Sequence, residues 1–419
     1  MTMELDEQAR AILRLNDMGG YTLPTHGLYP YQWNWDSAFA AWGFATFDPD
    51  RAWTEMETLM SGQWEDGMVP HILFHRPDAG YFPGPDVWQG RGPIPSSGIS
   101  QPPVAASFMA KMLDLDPSGE PRARALWSKL KKWHAWFMEW RLDKGAVCIT
   151  HPWEAGRDNA PDWDVAMMAI DASDVGEYTR RDTSHVDPAM RPTKFDYDRY
   201  LKLVQIGVSV GWDHEKLREI NPFRVADPTM TFTLLRAQRD LLAMGRRFGE
   251  DVSEISEWIT TLEIGAETLW NPELGAYDSR DALTGMFNNV RSNASALCWY
   301  AGINDPRAVP ATKRMLDAAE YAIASFDPEA EGFEPLRYWR GPVWPIMNYL
   351  VGSGMEEQGQ IEMAARIRQD TARLMELNGF AEYYDPNEGT PAGGGSFTWT
   401  AAVWLGWAGR PSERQRGAA

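Results

Sequence analysis

Apolar residues recur every three to four positions along most of this chain, and that spacing leaves little room for sheet. In the stretch 121–142, Leu126, Leu130, Trp133, Phe137 and Trp140 fall on one side of a helix. The same spacing predicts helices over 3–16, 36–46, 50–62, 103–116, 121–142, 196–212, 227–249, 252–270, 292–302, 310–324, 342–352, 357–377 and 397–407. Several carry start signals: Asp48-Pro49-Asp50, Pro102-Pro103 and Asp227-Pro228. Alternating β-branched runs are scarce, and VCIT at 147–150 is the clearest strand candidate.

The predicted helices are of two kinds. DSAFAAWGF, PPVAASFMAKM, SNASALCWY, GPVWPIMNYL and SFTWTAAVWLGW are small and apolar all round, whereas ALWSKLKKWHAWFMEW and MAARIRQDTARLMEL are charged and amphipathic. Rough alternation of the two kinds suits an all-α fold, an (α/α)6 barrel with six inner helices ringed by six outer ones. The alternation slips between 196 and 270, where neither layer can be assigned. A helical solenoid is the competing fold, but no sequence repeat at a fixed period supports it. No linker divides the chain, so residues 1–419 are expected to form one catalytic domain. Two long irregular stretches, 63–101 and 143–195, interrupt it. Loops of such length are usually functional, and these are expected to cover a site at one end of the barrel.

Charge narrows the partners. Forty basic and 59 acidic residues give a net charge of −19, which repels phosphate backbones and anionic membranes. The two cysteines, Cys148 and Cys298, are too few for a disulfide framework. The opening MTMELDEQAR is acidic and has no apolar core, and no run approaches the roughly 18 apolar residues of a membrane span. The expected compartment is the cytoplasm; monomer and homo-oligomer both stay open. The 21 tryptophans are the compositional outlier. Most belong to the core. Those in polar, Pro/Gly-rich stretches offer rigid apolar faces of the kind that stack on sugar rings.

Hydrolysis of a glycosidic bond needs two carboxyl groups flanking it, one to protonate the leaving oxygen and one to activate water or attack the anomeric carbon. Among 59 acids a bare pair proves nothing, so context must choose. Glu154-Ala-Gly-Arg-Asp158-Asn-Ala-Pro-Asp162-Trp-Asp164 lies in a loop with indoles at Trp153 and Trp163, and Phe380-Ala-Glu382-Tyr-Tyr-Asp385-Pro precedes a Gly-rich turn. Rival chemistries lack their signatures. His71 and His75 are four apart without the glutamate of a zinc protease, and no P-loop, dinucleotide fingerprint, nucleophile elbow or terpene-cyclase acid cluster is present. Neither a metal nor an organic cofactor is expected.

The stretch WEAGRDNAPDWD resembles the E-S-G-x-D-N-S-P-x-W-D segment of glycoside hydrolase family 63. Tyr31-Gln-Trp33-Asn-Trp35-Asp36-Ser, Tyr338-Trp-Arg-Gly-Pro-Val-Trp344-Pro and FAEYYDP followed by GGGSFTWTAA resemble three more of its segments, in order, from 31 to 402. The (α/α)6 trehalases share a looser form of the two acidic motifs. The resemblance implies an inverting α-glycoside hydrolase, with Asp158 as general acid and Glu382 as general base about 6.5–9.5 Å apart. It also implies a sugar subsite lined by Trp35, Asp36, Tyr338, Trp339 and Trp344, with Tyr29 and Trp33 as further substrate-binding candidates. Asp36 is in addition a candidate N-cap for the helix that follows it. Asp158 must stay protonated near neutral pH, and a neighbouring carboxylate, Glu154 being a candidate, would help.

Ser97-Gly-Ile-Ser-Gln101-Pro-Pro and Arg191-Pro-Thr-Lys-Phe-Asp-Tyr197-Asp-Arg-Tyr200 resemble a branch of that family that hydrolyses mannosylglycerate and glucosylglycerate. The branch implies that a small-molecule glycosyl-glycerate is the substrate, its carboxylate held by Arg191 with Gln101, Tyr81 and Tyr197; a guanidinium fork suits a carboxylate. Glucose and mannose are both open as the released sugar. A neutral α-glucosidase or trehalase-like enzyme, with Arg180, Arg181 and Arg191 merely paired to Asp182, Asp187 and Asp196, is the second reading; a non-catalytic sugar-binding barrel is the third. Three departures from the family pattern, Ala155, Ala160 and Asp162, stand beside the acid and bear on the substrate. The segment 77–99, dense in Pro and Gly with Tyr81 and Trp88 as apolar anchors, is expected to close over bound substrate.

Overall fold

The structure, a computed structural model, describes residues 2–184 and 186–410. Six helices form a closed ring. They are α2 (Asn34–Ala45), α5 (Ala105–Leu115), α10 (Pro228–Phe248), α12 (Leu297–Ala301), α14 (Pro345–Glu357) and α16 (Thr398–Val403). Each packs on the next, and α16 packs back on α2. That return contact excludes the solenoid, whose ends would stay apart. A second layer surrounds the ring: α1 (Thr2–Leu15), α3 (Pro49–Ser61), α6 (Glu120–Trp140), α11 (Ser253–Glu267), α13 (Val309–Asp317) and α15 (Ile361–Asn378). In chain order outer and inner helices alternate, which makes an (α/α)6 barrel. No described helix is long and apolar enough to cross a membrane.

The side-chain pattern accounts for the two layers. Every residue of α2 is buried, so it must be apolar or small on all sides. The outer α15 buries only a stripe, including Ile367, Leu374 and Met375. Small residues let inner helices touch backbone to backbone. A β-carbon on Gly354 of α14 would stand 2.3 Å from the Tyr300 amide nitrogen of α12, and one on Gly43 of α2 would stand 2.8 Å from the Ala402 β-carbon of α16. The start signals work as expected. Asp48 and Asp227 cap α3 and α10 through their carboxylates, each followed by proline at the first helical position. The Pro102-Pro103 start takes effect two residues later, at Ala105.

The slipped alternation has a physical cause. Between α6 and α10 the chain leaves the ring and runs over one end of it. That excursion holds α7 (Asp164–Met168), α8 (Lys194–Ser209) and α9 (His214–Ile220), none of which is a barrel helix. α8 packs on the short α4 (Pro85–Trp88), so the two irregular stretches meet. The expected strand is present at Ala146–Ile149, between Leu142–Asp143 and Val225–Ala226, with Arg280–Asp281 beyond. This small sheet pins both ends of the excursion. The residues before the inner helices, Trp33, Gln101, Asp227, Ser292, Trp344 and Phe397, therefore gather at the loop-covered end.

Gly354→Ala tests the backbone contact on which ring closure depends. The added methyl must push α14 from α12, so the substitution is expected to cost about 1–3 kcal/mol, read as a lower midpoint in chemical denaturation. An unchanged midpoint would mean that the two helices are not so closely packed.

Candidate active site

A cavity opens at that end of the ring, and residues from distant parts of the chain line it. Tyr29, Trp33, Trp35 and Asp36 come from the approach to α2 and its first turn, and Tyr81 and Gln101 from the first loop. Asp158, Arg191 and Tyr197 come from the excursion, and Tyr338 and Glu382 from the turns before α14 and α16. Trp339 and Trp344, expected to touch sugar, stand behind this wall. They stack face to face at 3.8 Å, both fully buried, and the Trp344 indole donates to the Tyr338 carbonyl. The chain turns at Tyr338, which sends that side chain into the cavity and packs the two indoles behind it, against Trp35 and Trp399.

The acid loop is shaped by glycine and by a buried ion cluster. Gly156 has φ +67°, and a β-carbon there would lie 2.6 Å from the Trp35 ring, so the loop can press on that indole only with glycine. Arg157, wholly buried, donates to Asp162 at 2.9 and 3.2 Å and to Asp227 at 3.1 Å. Asp162 also accepts from Ser292 at 2.8 Å. Asp162 thus points into the barrel and does not line the cavity, so its departure from the family pattern bears on loop anchoring and not on substrate. The Asp158 carbonyl accepts from Tyr200 at 2.8 Å and Trp163 at 3.1 Å, which leaves its carboxyl free to face the cavity.

The two candidate carboxyls differ in their surroundings. Burial pushes Asp158 up to about 7; Arg191 opposes the shift and Glu382 adds to it. Glu154 plays no part. Burial alone would raise it, but Arg141 at 3.0 Å and both donors of Thr150 hold it below the ordinary range, and its charge is spent on them. Burial also raises Glu382, against the pull of Arg191 and of its donors. Those donors are the Gly394 amide at 2.8 Å and the hydroxyls of Tyr29 at 3.0 Å and Tyr338 at 3.4 Å. Asp36 sits inside the first turn of α2, whose cap position is Trp33, and so is no N-cap. Its carboxyl takes no side-chain hydrogen bond among the described residues; burial, then Glu382, holds it well above the usual range.

Arg191 supplies the cationic corner. Its Nη1 donates to Tyr29 Oη at 3.1 Å, its Nε to Asp182 at 3.1 Å, and its guanidinium lies 4.2 Å from the Tyr338 ring centre. Gln101 accepts from the Trp35 amide at 3.2 Å, and the Tyr197 hydroxyl donates to the Phe82 carbonyl at 3.1 Å. Tyr81 stands edge-on to Trp33. Of the segment 77–99, Tyr81 faces the cavity, whereas Trp88 is wholly buried against Trp153 and Trp212 and anchors the segment from below.

Other residues reach the wall that were not expected to line the site. His71 shares a 2.6 Å hydrogen bond with Ser97 and is held neutral by burial and by His151. Trp153, Asp182, Phe397 and Trp399 also reach the wall. Trp399 lies inside the closing aromatic motif, a signal that was present; nothing in the sequence near His71 marks it.

The family described as the mannosylglycerate hydrolase MGH1-like glycoside hydrolase domain matches residues 29–400. The chain belongs to this family. It is a glycoside hydrolase. It is 44% identical to mannosylglycerate hydrolase MGH2 of Selaginella moellendorffii, over 96% of this chain and 85% of that one. It is 33% identical to a glucosylglycerate hydrolase of Mycolicibacterium hassiacum, over 97% and 98% of the two chains. The fold superposes with a TM-score of 0.93 on the GH63 mannosylglycerate hydrolase of Thermus thermophilus in complex with Tris and D-glycerate, 43% identical over 96% of this chain and 99% of that one.

Carbon-13 NMR of labelled carboxyls checks the electrostatics directly. Asp158 is expected to titrate near pH 7, and Glu382→Gln, which removes a neighbouring negative charge, is expected to move that midpoint down. A midpoint near 4, the ordinary range for Asp, would refute the buried environment.

Proposed function

We propose that this glycoside hydrolase cleaves a glycosyl-glycerate with inversion, Asp158 acting as acid and Glu382 as base. The observation that carries the reading is the presence, in one cavity, of two buried carboxyls and the Arg191 guanidinium. A neutral disaccharide offers such a cation only hydroxyl acceptors, whereas glycerate offers a carboxylate that matches its charge. Relatives named for mannosylglycerate and for glucosylglycerate, and a relative's structure with D-glycerate, support it. Because relatives of both names match nearly the whole chain, the reading fixes the leaving group and leaves the configuration at the sugar's second carbon open.

The sugar would lie against Trp35 and Trp399, with Asp36 gripping its hydroxyls. Asp158, protonated near neutral pH because it is buried, gives its proton to the glycosidic oxygen as the bond from that oxygen to the anomeric carbon breaks. A water on the opposite ring face attacks the anomeric carbon and gives its proton to Glu382. The hydroxyls of Tyr29 and Tyr338 and the Gly394 amide keep Glu382 oriented and favour its charged form. Sugar leaves with inverted anomeric configuration and glycerate leaves as the acid anion. The segments 63–101 and 143–195 form the cover of this site on the single domain, and their closure would exclude competing water. A charged hydrogen bond from Arg191 to the glycerate carboxylate would contribute about 1.5–3 kcal/mol.

One observation favours a neutral substrate instead. Asp182 already accepts from both Arg180 and Arg191, and Asp187 and Asp196 serve as local caps. Arg191→Ala separates the two readings. With a glycerate substrate, kcat/KM on the glycerate glycoside is expected to fall by about 10-fold or more while turnover of a neutral glucoside persists; equal losses on both would leave the neutral reading standing.

The catalytic roles have their own test. Asp158→Ala and Glu382→Ala are each expected to lower kcat by several orders of magnitude with the fold retained by circular dichroism. Proton NMR of the wild-type reaction is expected to show the β-anomer first. Near-normal turnover by either variant, or a first-formed α-anomer, would overturn the assignment.

A further inference from the structure

Asp182 stands on the cavity wall between two guanidinium groups. Arg180 grips it fork to fork, Nε to Oδ1 at 3.0 Å and Nη2 to Oδ2 at 2.6 Å. Arg180 is itself fixed by the Pro192 carbonyl at 2.6 Å and lies 4.4 Å from the centre of the Tyr197 ring. Arg191 gives Asp182 a single bond, from Nε at 3.1 Å, and turns Nη1 toward Tyr29. Among the described residues no group accepts a hydrogen bond from Arg191 Nη2.

A site that needed only to orient Arg191 would be served by neutral acceptors, as Tyr29 already does. An acid at this place is a cost to any anion that approaches, and the cost depends on the anion's charge. Arg180, Arg191 and Asp182 together carry one net positive charge, with Glu382 one hydroxyl further off through Tyr29. Arg76 and Arg181 reach the cavity only from its exposed rim, where solvent and salt screen them. One carboxylate on the open edge of Arg191 brings the trio to neutrality. A second would stand beside Asp182 with no buried cation left to match it.

We propose that Asp182 restricts the leaving group to a single negative charge: it holds Arg191 by one edge and repels aglycones that carry two. The proposal rests on the glycosyl-glycerate reading above. It makes Asp182 a positioning and specificity-determining residue, not a catalytic one, and the substrate class it selects is the glycoside of a hydroxy-monoacid.

Glycosides of glycerol, glycerate and malate, bearing the same sugar, present leaving groups of charge zero, minus one and minus two. Their kcat/KM values are compared at one ionic strength for the wild type, Asp182→Asn and Arg180→Gln. The wild type is expected to prefer the glycerate glycoside, and Asp182→Asn to raise the malate-to-glycerate ratio by about 10-fold or more, the effect of one charge at this range. Arg180→Gln, which removes a positive charge instead, is expected to shift preference from glycerate toward glycerol, and it keeps the test alive if Asp182→Asn does not fold. Losses shared equally by all three substrates would make Asp182 a structural residue and overturn the proposal. A wild type that hydrolyses the glycerol glycoside and ignores the glycerate one would instead overturn the underlying reading.

Discussion

Arg157 is buried without contact to solvent, and its charge is matched inside the protein by Asp162 and Asp227. Such a cluster is costly to assemble and more costly to break, because removing one member strands the others in low dielectric. Its position explains why it is kept. Asp227 is also the cap of α10, a ring helix, and Asp162 is bound by Ser292, at the start of the turn that leads into α12. Arg157 therefore bolts the loop that carries Asp158 to two inner helices at once. The acid's place over the ring depends on that bolt and on the glycine before it.

The same low dielectric separates the roles of the two carboxyls. Among the described residues no side chain donates a hydrogen bond to the Asp158 carboxyl, and burial, which penalises its charge, pushes its pKa up to about 7. Glu382 is equally buried, yet three donors and the Arg191 field support its anion. Two chemically similar groups thus meet different electrostatics in one cavity, as the proposed acid and base require. Tyr29 couples the proposed base to the cationic corner, since its hydroxyl lies between Glu382 and Arg191. In a chain of net charge −19, this corner is where an anion can find cations.

Where the structure departs from the sequence reading, the departures share a cause. Trp339 and Glu154 each stand next in sequence to a residue that faces the cavity, Tyr338 and Trp153, yet neither lines it. In tight turns neighbouring side chains point in opposite directions, so sequence adjacency to a site is as often a place behind it as a place in it. Asp36 shows the converse: a polar residue at a helix start invited a capping role, but the helix begins two residues earlier and frees its carboxyl for the cavity.

The helical period, the two kinds of helix and the start signals determined the layers of the barrel, because burial on all sides and burial on one side demand different residues. The acidic motifs determined which loops carry chemistry, since indoles and glycines in polar stretches have no core to serve. Tertiary structure alone decided which helices leave the ring, which of two adjacent aromatic side chains, Tyr338 or Trp339, faces the cavity, and which arginine faces which acid. Those outcomes depend on contacts between residues more than a hundred positions apart, such as Arg340 with Asp164 and Tyr29 with Arg191. The period along a single segment holds no information about them, because they are set by how the segments pack.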